Sequence, residues 1–165
     1  MRKGFSLIEL LIVVAIILII AAIAIPNLLR SRIAANEASA TASLRTLNTA
    51  EVTYASTYNS GFTSTLGQLS TPSGGGQPTA SQSDLLDPVL SGVQGSGGTT
   101  ATSFTKNGFV FTYTPSGTYP QIATYGVTAN PQARGSSGQR SFFTDQSAVV
   151  RSNSTNQASN TDSPI

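Results

Sequence analysis

The chain begins with its longest apolar run. From Phe5 to Ile25 the only polar residues are Ser6 and Glu9. As an α-helix this run is roughly 32 Å long at ~1.5 Å per residue, which matches a hydrocarbon core of about 30 Å. We therefore predict a membrane-spanning helix over residues 5–25.

A second apolar pattern follows the run at helical spacing. Its residues recur three, four or seven positions apart, as they do on one face of an α-helix. Asn59-Ser60-Gly61 is a helix stop signal, so we predict an amphipathic helix over residues 26–58, continuous with the first. Pro26 has no amide hydrogen to donate, which predicts a kink or a locally unwound stretch just before it. The stripe consists of Ile33, Ala40, Leu44, Leu47, Tyr54 and Tyr58.

The rest of the chain predicts a small head. Residues 59–103 are rich in Ser, Gly and Thr, which is typical of loops, and residues 104–151 hold short β-branched or aromatic runs bounded by turn residues. An antiparallel sheet of about four strands, packed on the helix stripe, buries both elements and gives an α+β fold shaped like a ladle. Residues 152–165 have few apolar side chains to bury, so we predict a flexible tail there. The predicted strands are 109–113, 122–127, 141–144 and 148–150.

Charge at the N-terminus orients the predicted membrane helix. Arg2 and Lys3 precede the apolar run, so the positive-inside tendency places the N-terminus in the cytoplasm and the head outside. A secretory signal peptide is one alternative, because Ala22-Ile23-Ala24 resembles its cleavage site. The run exceeds the ~7–15 apolar residues of such signals, and Glu9 stands where the apolar core begins. A plain membrane anchor is the other alternative.

Glu9 is the acidic residue inside the apolar run. A carboxylate costs about 2.5–3.5 kcal/mol at mid-bilayer and less near the interface, so such residues are functional candidates. Cleavage after Gly4 gives Phe5 a free α-amino group, one helical turn from Glu9. We predict that the amine of one subunit pairs with Glu9 of another and sets the register of packed helices. The alternative is a Glu9 that snorkels to the headgroups or stays protonated.

These residues carry a resemblance to a known family. The sequence Arg2-Lys3-Gly4-Phe5-Ser6-Leu7-Ile8-Glu9, with the apolar run that follows, resembles the N-terminus of type IV pilins and of the pseudopilins of type II secretion. The resemblance covers residues 1–58 and implies a leader peptide, residues 1–4, that a prepilin peptidase removes between Gly4 and Phe5. It also implies N-methylation of Phe5 and use of Glu9 in subunit docking. Leu18 departs from the pattern, because many relatives carry a glycine there that helps the helix loosen.

The resemblance also implies a function. The chain is expected to be a structural subunit of a type IV pilus, held first in the inner (cytoplasmic) membrane and then part of an extracellular filament on the cell surface. Its expected partners are copies of itself, the prepilin peptidase and the pilus assembly machinery. The alternatives are the major pseudopilin of a type II secretion system, a minor pilin for adhesion or DNA uptake, and a monomeric anchored sensor.

Composition narrows the chemistry. The chain has no Cys and no His, so it has no disulfide, no thiolate and no imidazole to move protons at neutral pH. Removal of residues 1–4 takes away two of the nine Lys/Arg and leaves seven basic against seven acidic residues. The mature chain therefore has no net positive charge to attract a nucleic acid. Without a His-activated Ser or a phosphate-binding loop, we predict no enzyme activity and no cofactor.

Two further motifs are candidates for binding or modification. Asp84 and Asp87 are three residues apart, but without further oxygen ligands they are more typical of a solvated helix end than of a metal site, so we predict no metal. Asn153-Ser154-Thr155 matches the N-glycosylation sequon, which makes Asn153 a candidate glycosylation site.

Overall fold

The computed structural model describes residues 5–94, 100–118 and 121–165. Gly4 and the rest of the predicted leader lie outside the described residues. The predicted α+β fold is confirmed, because one long helix packs against an antiparallel sheet. We call the sheet, the loops around it and the helix residues that they cover the head.

A single helix, α1, spans Leu7–Tyr58 and continues through Pro26. It ends at Asn59, which adopts the left-handed conformation with a φ of 49°. The amide of Asn59 donates to the carbonyl of Ala55 at 3.1 Å and so satisfies one carbonyl of the last turn. The stop signal in the sequence thus coincides with the end of the helix.

The sheet is a meander whose five strands lie side by side in chain order, each antiparallel to the next. Asn107 and Gly108 connect the first two strands, and both have positive φ, at 48° and 75°. An Asn-Gly pair is the favoured sequence for such a two-residue hairpin turn. The strands are β1 (Ser103–Lys106), β2 (Phe109–Thr118), β3 (Gln121–Pro131), β4 (Ser141–Asp145) and β5 (Arg151–Asn153).

The sheet differs from the prediction at its two edges. β1 was not predicted, because its sequence Ser-Phe-Thr-Lys has one large apolar residue and follows a stretch rich in Ser, Thr and Gly. The last strand is Arg151–Asn153, where 148–150 was expected. A turn occupies the expected position, since Ala148 has a φ of 59° and its amide donates to the Asp145 carbonyl at 2.9 Å.

The core lies between α1 and the inner face of the sheet. Ala40, Leu44, Leu47 and Tyr54 of the predicted stripe are buried, and Tyr58 packs at the edge of the same cluster. β2 alternates as a half-buried strand should, and its inward residues meet Val127 and Phe142. Each large apolar side chain buried in this way contributes about 1.5–3 kcal/mol before the entropic cost of ordering it. The inward residues of β2 are Phe109, Phe111 and Tyr113.

The loop region between α1 and β1 contains short ordered turns. A 3₁₀ helix at Leu66–Leu69 buries both of its leucines. A turn begins at Asp87, whose carboxylate accepts hydrogen bonds from the amides of Val89 and Leu90 at 2.8 and 3.0 Å. Ser83 donates its hydroxyl hydrogen to the carbonyl of Gln68 at 2.9 Å.

The C-terminal segment, predicted as a flexible tail, folds back along β5. The amide of Ser152 donates to the Ser163 carbonyl, and the amide of Ile165 donates to the Val150 carbonyl, each at 3.1 Å. Ala158 is 3% exposed. Because hydrogen bonds hold this segment more than apolar side chains do, a pattern of hydrophobic positions gives no sign of its order.

Candidate functional site

The N-terminal half of α1 is an apolar surface that none of the described residues covers. The large apolar side chains of residues 7–29 are between 41% and 80% exposed. By length and composition this helix is able to cross a membrane. An exposed apolar surface of this extent marks contact with a membrane or with other proteins. We call residues 7–29 the apolar segment.

Glu9 lies on this segment with its carboxylate exposed. Ser6 precedes the helix in an extended conformation, and its amide donates to Glu9 Oε2 at 3.0 Å. This is the return half of a capping box, which satisfies an amide that the first turn leaves free. The Glu9 carboxylate therefore has a local role in one chain and is still accessible to a second chain. Phe5 is 80% exposed.

Pro26 lies within α1, where helical residues flank it on both sides. A helix that stops at the membrane surface is therefore not what this sequence forms. The kink at Pro26 stays a prediction. The continuous helix places Glu9 roughly 42 Å from Glu37, at ~1.5 Å per residue, so the exposed acid and the head are joined by one rod.

Glu37 fastens α1 to the loop between β3 and β4. Its Oε1 accepts hydrogen bonds from the amides of Gln139 and Arg140 at 2.8 and 2.9 Å, and its Oε2 accepts from Arg140 Nε at 2.9 Å. The second guanidinium nitrogen, Nη2 of Arg140, also lies 2.9 Å from Oε2. Burial alone raises the pKa of Glu37, but these hydrogen bonds and the Arg140 charge outweigh it and hold the pKa below its usual value.

Glu51 is fully buried where α1, the following loop and β2 meet. Thr63 donates its amide to Glu51 Oε2 at 3.0 Å, and the Thr63 hydroxyl oxygen lies 2.6 Å from Oε1. The same hydroxyl lies 3.2 Å from the Tyr113 oxygen, and Tyr113 donates to the Thr63 carbonyl at 2.7 Å. No cation pairs with Glu51 among the residues that the structure describes.

Burial shifts the titration of both acidic groups in this network. Desolvation raises the pKa of Glu51, although the hydrogen bonds from Thr63 oppose the rise. Burial and the neighbouring Glu51 raise the pKa of Tyr113 well above its usual range. The Thr63 hydroxyl donates to Glu51 Oε1, whereas a protonated Glu51 would donate to that hydroxyl and leave its hydrogen for the Tyr113 oxygen. Burial favours the second arrangement, because it disfavours the charged carboxylate.

Asn48 makes a third polar connection between α1 and the sheet. Its side-chain nitrogen donates to the Thr144 hydroxyl at 2.8 Å, and its oxygen accepts from the Tyr125 hydroxyl at 3.0 Å. All three residues are buried. Desolvation raises the pKa of Tyr125, so the phenol stays a donor.

These polar residues were missed from the sequence although they had a signal. Glu37 and Glu51 lie three residues before Ala40 and Tyr54, so both fall on the face of the helix that carries the predicted stripe. A charged residue in phase with an apolar stripe is expected to be buried with partners. Which partners it takes depends on distant loops, and the spacing along α1 does not identify them.

Asn153, the candidate glycosylation site, is half-buried, and its side chain forms the hydrogen bonds of the turn that follows it. Its side-chain nitrogen donates to Asp162 at 2.8 Å, and its oxygen accepts from the amides of Thr155 and Asn156 at 3.0 and 2.9 Å. Arg134 holds the same turn by donating to the carbonyls of Ser154 and Asn156. These contacts give Asn153 a structural role in the C-terminal segment.

The comparisons with known proteins match part of the chain. Residues 1–25 match the model of the prokaryotic N-terminal methylation motif. The chain is 64% identical over 42 residues to the type IV wide pilus major component PilA4 of Thermus thermophilus, a match that covers 26% of this chain. It is 47% identical over 53 residues, or 32% of this chain, to the type IV major pilin protein PilA of Myxococcus xanthus.

The matches cover only part of each relative. The chain spans 32% of the length of the Thermus relative and 24% of the length of the Myxococcus relative. No solved structure matches the fold. The resemblance to type IV pilins is confirmed by the motif at residues 1–25 and by the two relatives, neither of which matches more than 32% of this chain.

Proposed function

We propose that this chain, whose N-terminal region is that of the type IV pilin family, is the structural subunit of a type IV pilus. The precursor is held in the cytoplasmic membrane by the apolar segment. A prepilin peptidase removes residues 1–4 by cutting between Gly4 and Phe5, and Phe5 is then N-methylated. The assembly machinery transfers the mature chain from the membrane into a filament on the cell surface.

The observation that carries this proposal is the contrast between a self-contained head and an uncovered apolar segment. The buried acids of the head have their partners within the chain. The apolar side chains of the apolar segment are exposed among the described residues, so lipid covers them in the membrane and other copies of the segment cover them in a filament. Because lipid tails are as apolar as the side chains, packing and polar pairing between helices decide the balance between the two states.

Glu9 supplies the polar pairing. In a filament whose helices are offset along the axis, the Phe5 amine of one subunit lies beside the Glu9 carboxylate of another. N-methylation leaves the amine basic, so the charge is kept. In a low-dielectric filament core this ion pair is strong, and an unpaired carboxylate is costly, which favours a single register.

The test is electron microscopy of fibres sheared from cells, with mass analysis of the subunit N-terminus. We expect long fibres whose subunit begins with methylated Phe5. A subunit that still begins at Met1 contradicts the proposal. Short or rare fibres that appear only on overexpression favour the pseudopilin alternative, and this chain as a scarce component of fibres made of another protein favours the minor pilin.

Glu9→Gln separates the two roles of Glu9. Glutamine keeps an oxygen that accepts from the Ser6 amide, so the helix cap survives while the charge is lost. We expect fibre yield to fall at least about tenfold, because a charge-assisted hydrogen bond of roughly 1.5–3 kcal/mol is removed from each interface. Glu9→Asp is the matched control, since it keeps the charge. Normal fibre yield in Glu9→Gln contradicts the role given to Glu9.

A further inference from the structure

A polar cleft of about 390 Å³ lies on the underside of the head, beside the point where α1 leaves it. One wall is α1 itself, the second is the β1–β2 turn, and the third is the loop between β3 and β4. We call this space the polar cleft. Its lining includes Arg32, Asn36, Asn107, Gln132, Ser136 and Ser137.

Hydrogen bonds hold the walls of the cleft in place. Asn36 of α1 donates to the Ser137 carbonyl at 2.9 Å, and Asn107 donates to the Ser39 hydroxyl at 2.8 Å. The floor is open because Gly108 has no side chain, since a Cβ there would lie 2.7 Å from the Ser137 Cβ. The φ of 75° at Gly108 also disfavours any other residue. The cleft is therefore a built space between fixed walls.

The donors that face the cleft are suited to an anion. Arg32 is exposed and forms no ion pair or hydrogen bond within the described part of the chain. The side chains of Gln132 and Ser136 likewise have no partner there. No carboxylate lines the cleft, and the nearby Glu37 is occupied by Arg140. A guanidinium flanked by an amide and a hydroxyl is a favourable donor set for a phosphate group.

The position of the cleft along α1 indicates that a lipid headgroup can supply this phosphate. The apolar segment ends at Leu29, and Arg32 is about 4.5 Å further along the helix axis at ~1.5 Å per residue. Asn36 is about 10 Å beyond Leu29 on the same basis. The headgroup layer on each side of a hydrocarbon core is about 5–7 Å thick. When residues 7–29 span the membrane, Arg32 therefore lies within the headgroup layer, at the level of the lipid phosphates, and the rest of the cleft lies above it.

We propose that the polar cleft binds the phosphate of a phospholipid headgroup from the outer leaflet while the precursor is in the membrane. This inference rests on the membrane-held state in the proposed function and adds a ligand to it. Arg32 pairs with the phosphate oxygens, and Gln132 and Ser136 donate to them. The bound lipid fixes the rotation of the whole chain about the membrane normal, and it is released when the subunit leaves the bilayer.

Arg30 provides a matched control for Arg32. It is also an exposed cation, only about 3 Å lower on the helix, yet it is turned by roughly 200° about the axis and is not part of the cleft lining. Both arginines attract anionic lipid to the same extent if general interfacial charge is all that matters. A difference between them therefore reports on the cleft. Arg45, on α1 within the head, is a second control.

The experiment uses the full chain in nanodiscs of equal parts phosphatidylcholine and phosphatidylglycerol. Native mass spectrometry counts the phosphatidylglycerol molecules that stay bound when the protein is released. Arg32→Gln and Ser136→Glu should each lower this number about tenfold, because the first removes a charge-assisted bond and the second places a carboxylate in the cleft. Arg30→Gln and Arg45→Gln should retain most of the lipid.

Equal losses in Arg30→Gln and Arg32→Gln overturn the proposal, because they show general attraction to the membrane surface. Displacement of the lipid by inorganic phosphate at no more than the lipid's own concentration also overturns it, since the cleft then prefers the free ion. Displacement that requires a large excess of phosphate supports it, because both ligands then compete for the same donors. Unchanged lipid retention in Arg32→Gln together with reduced fibre yield shows that Arg32 meets another subunit and not a lipid. Wild-type chain that retains lipid but forms no fibres leaves the cleft in place and contradicts the proposed function instead.

Discussion

The acidic residues in the two halves of α1 differ in burial and in hydrogen bonding. Glu9, in the apolar segment, is exposed and accepts a hydrogen bond from the amide of Ser6, three residues earlier. Glu37 and Glu51, in the head, are buried and hydrogen-bonded to distant loops. The head is thus complete within one chain, whereas the apolar segment has an acid and an apolar surface that only a membrane or other subunits can satisfy. One continuous helix carries a folded domain at one end and an assembly element at the other.

The largest expected difference between the halves comes from truncating a leucine in each. Leu44 is fully buried in the head, so Leu44→Ala should lower the free energy of unfolding by about 2–5 kcal/mol, measured by denaturation of the full chain in detergent. Leu11 is 62% exposed, so Leu11→Ala should leave the unfolding of the head unchanged and lower fibre yield instead. Equal destabilisation by the two variants contradicts the division of α1 into two halves.

Arg140→Gln should have the next largest effect. It removes the charge-assisted bonds to Glu37 and costs about 1.5–3 kcal/mol at neutral pH, reduced because Arg140 is partly exposed. The pKa of Glu37 is lowered by folding, so its contribution is present above the unfolded pKa and is lost as pH falls through the folded pKa.

Unfolding midpoints measured from pH 7 down to pH 3 check this sign. Wild type should lose more stability than Arg140→Gln over that range. Arg151→Gln is a control in which another partly buried arginine on the sheet is replaced while the Glu37 contacts stay intact. If Arg140→Gln and wild type show the same pH dependence, Glu37 does not depend on Arg140.

Glu51 should give the stability of the head a pH dependence of the opposite sign, and Glu51→Gln tests it. The pKa of Glu51 is raised by burial, so its stabilising protonated form is fully populated below the unfolded pKa and is lost as pH rises through the folded pKa. Glutamine reproduces the neutral acid, because its nitrogen donates to the Thr63 hydroxyl and its oxygen accepts from the Thr63 amide. The variant should equal or exceed wild type at pH 8, and its stability should depend less on pH.

Thr63→Val tests the same network from the other side. It removes the hydroxyl between Glu51 and Tyr113 at similar volume and should destabilise both wild type and Glu51→Gln. A Glu51→Gln variant that is less stable than wild type at every pH contradicts a neutral Glu51.

Ser91→Ala should have the smallest effect. Ser91 is fully buried, and its hydroxyl has no hydrogen-bond partner among the described residues. Its replacement removes a desolvated polar group and should raise the unfolding free energy by up to about 1 kcal/mol. Ser141→Ala is the comparison, because the buried Ser141 hydroxyl accepts from Arg134 at 2.7 Å and its loss should be destabilising.

Structural elements that depend on neighbouring residues could be predicted from the sequence. The apolar run, the stripe from Ala40 to Tyr54 and the Asn59 stop signal each depend on neighbouring residues, and together they gave the α+β fold. β1 could not be predicted, because Phe104 is its only large apolar residue and the strand depends on pairing with β2. The order of residues 152–165 was missed for a similar reason, since it comes from backbone pairing and from Asn153 and Asp162.

Part of the candidate site could likewise be predicted from the sequence, and part could not. Glu9 was found from the sequence because a carboxylate stands out in an apolar run. The partners of Glu37 and Glu51 lie about 100 and 12 residues away in the chain, and only the fold brings them together. The polar cleft likewise combines α1 with two loops that no spacing relates.

The most direct test of the assembly role of Glu9 is a distance measurement inside the filament. Fibres are formed from a mixture of subunits, one half labelled with ¹⁵N at phenylalanine and the other half with ¹³C at the glutamate carboxyl. The Phe5 amine is distinguished from the amides by its chemical shift. The account predicts a dipolar coupling between this amine and a glutamate carboxylate that Glu9→Gln abolishes, and mixed fibres that show no such coupling contradict it.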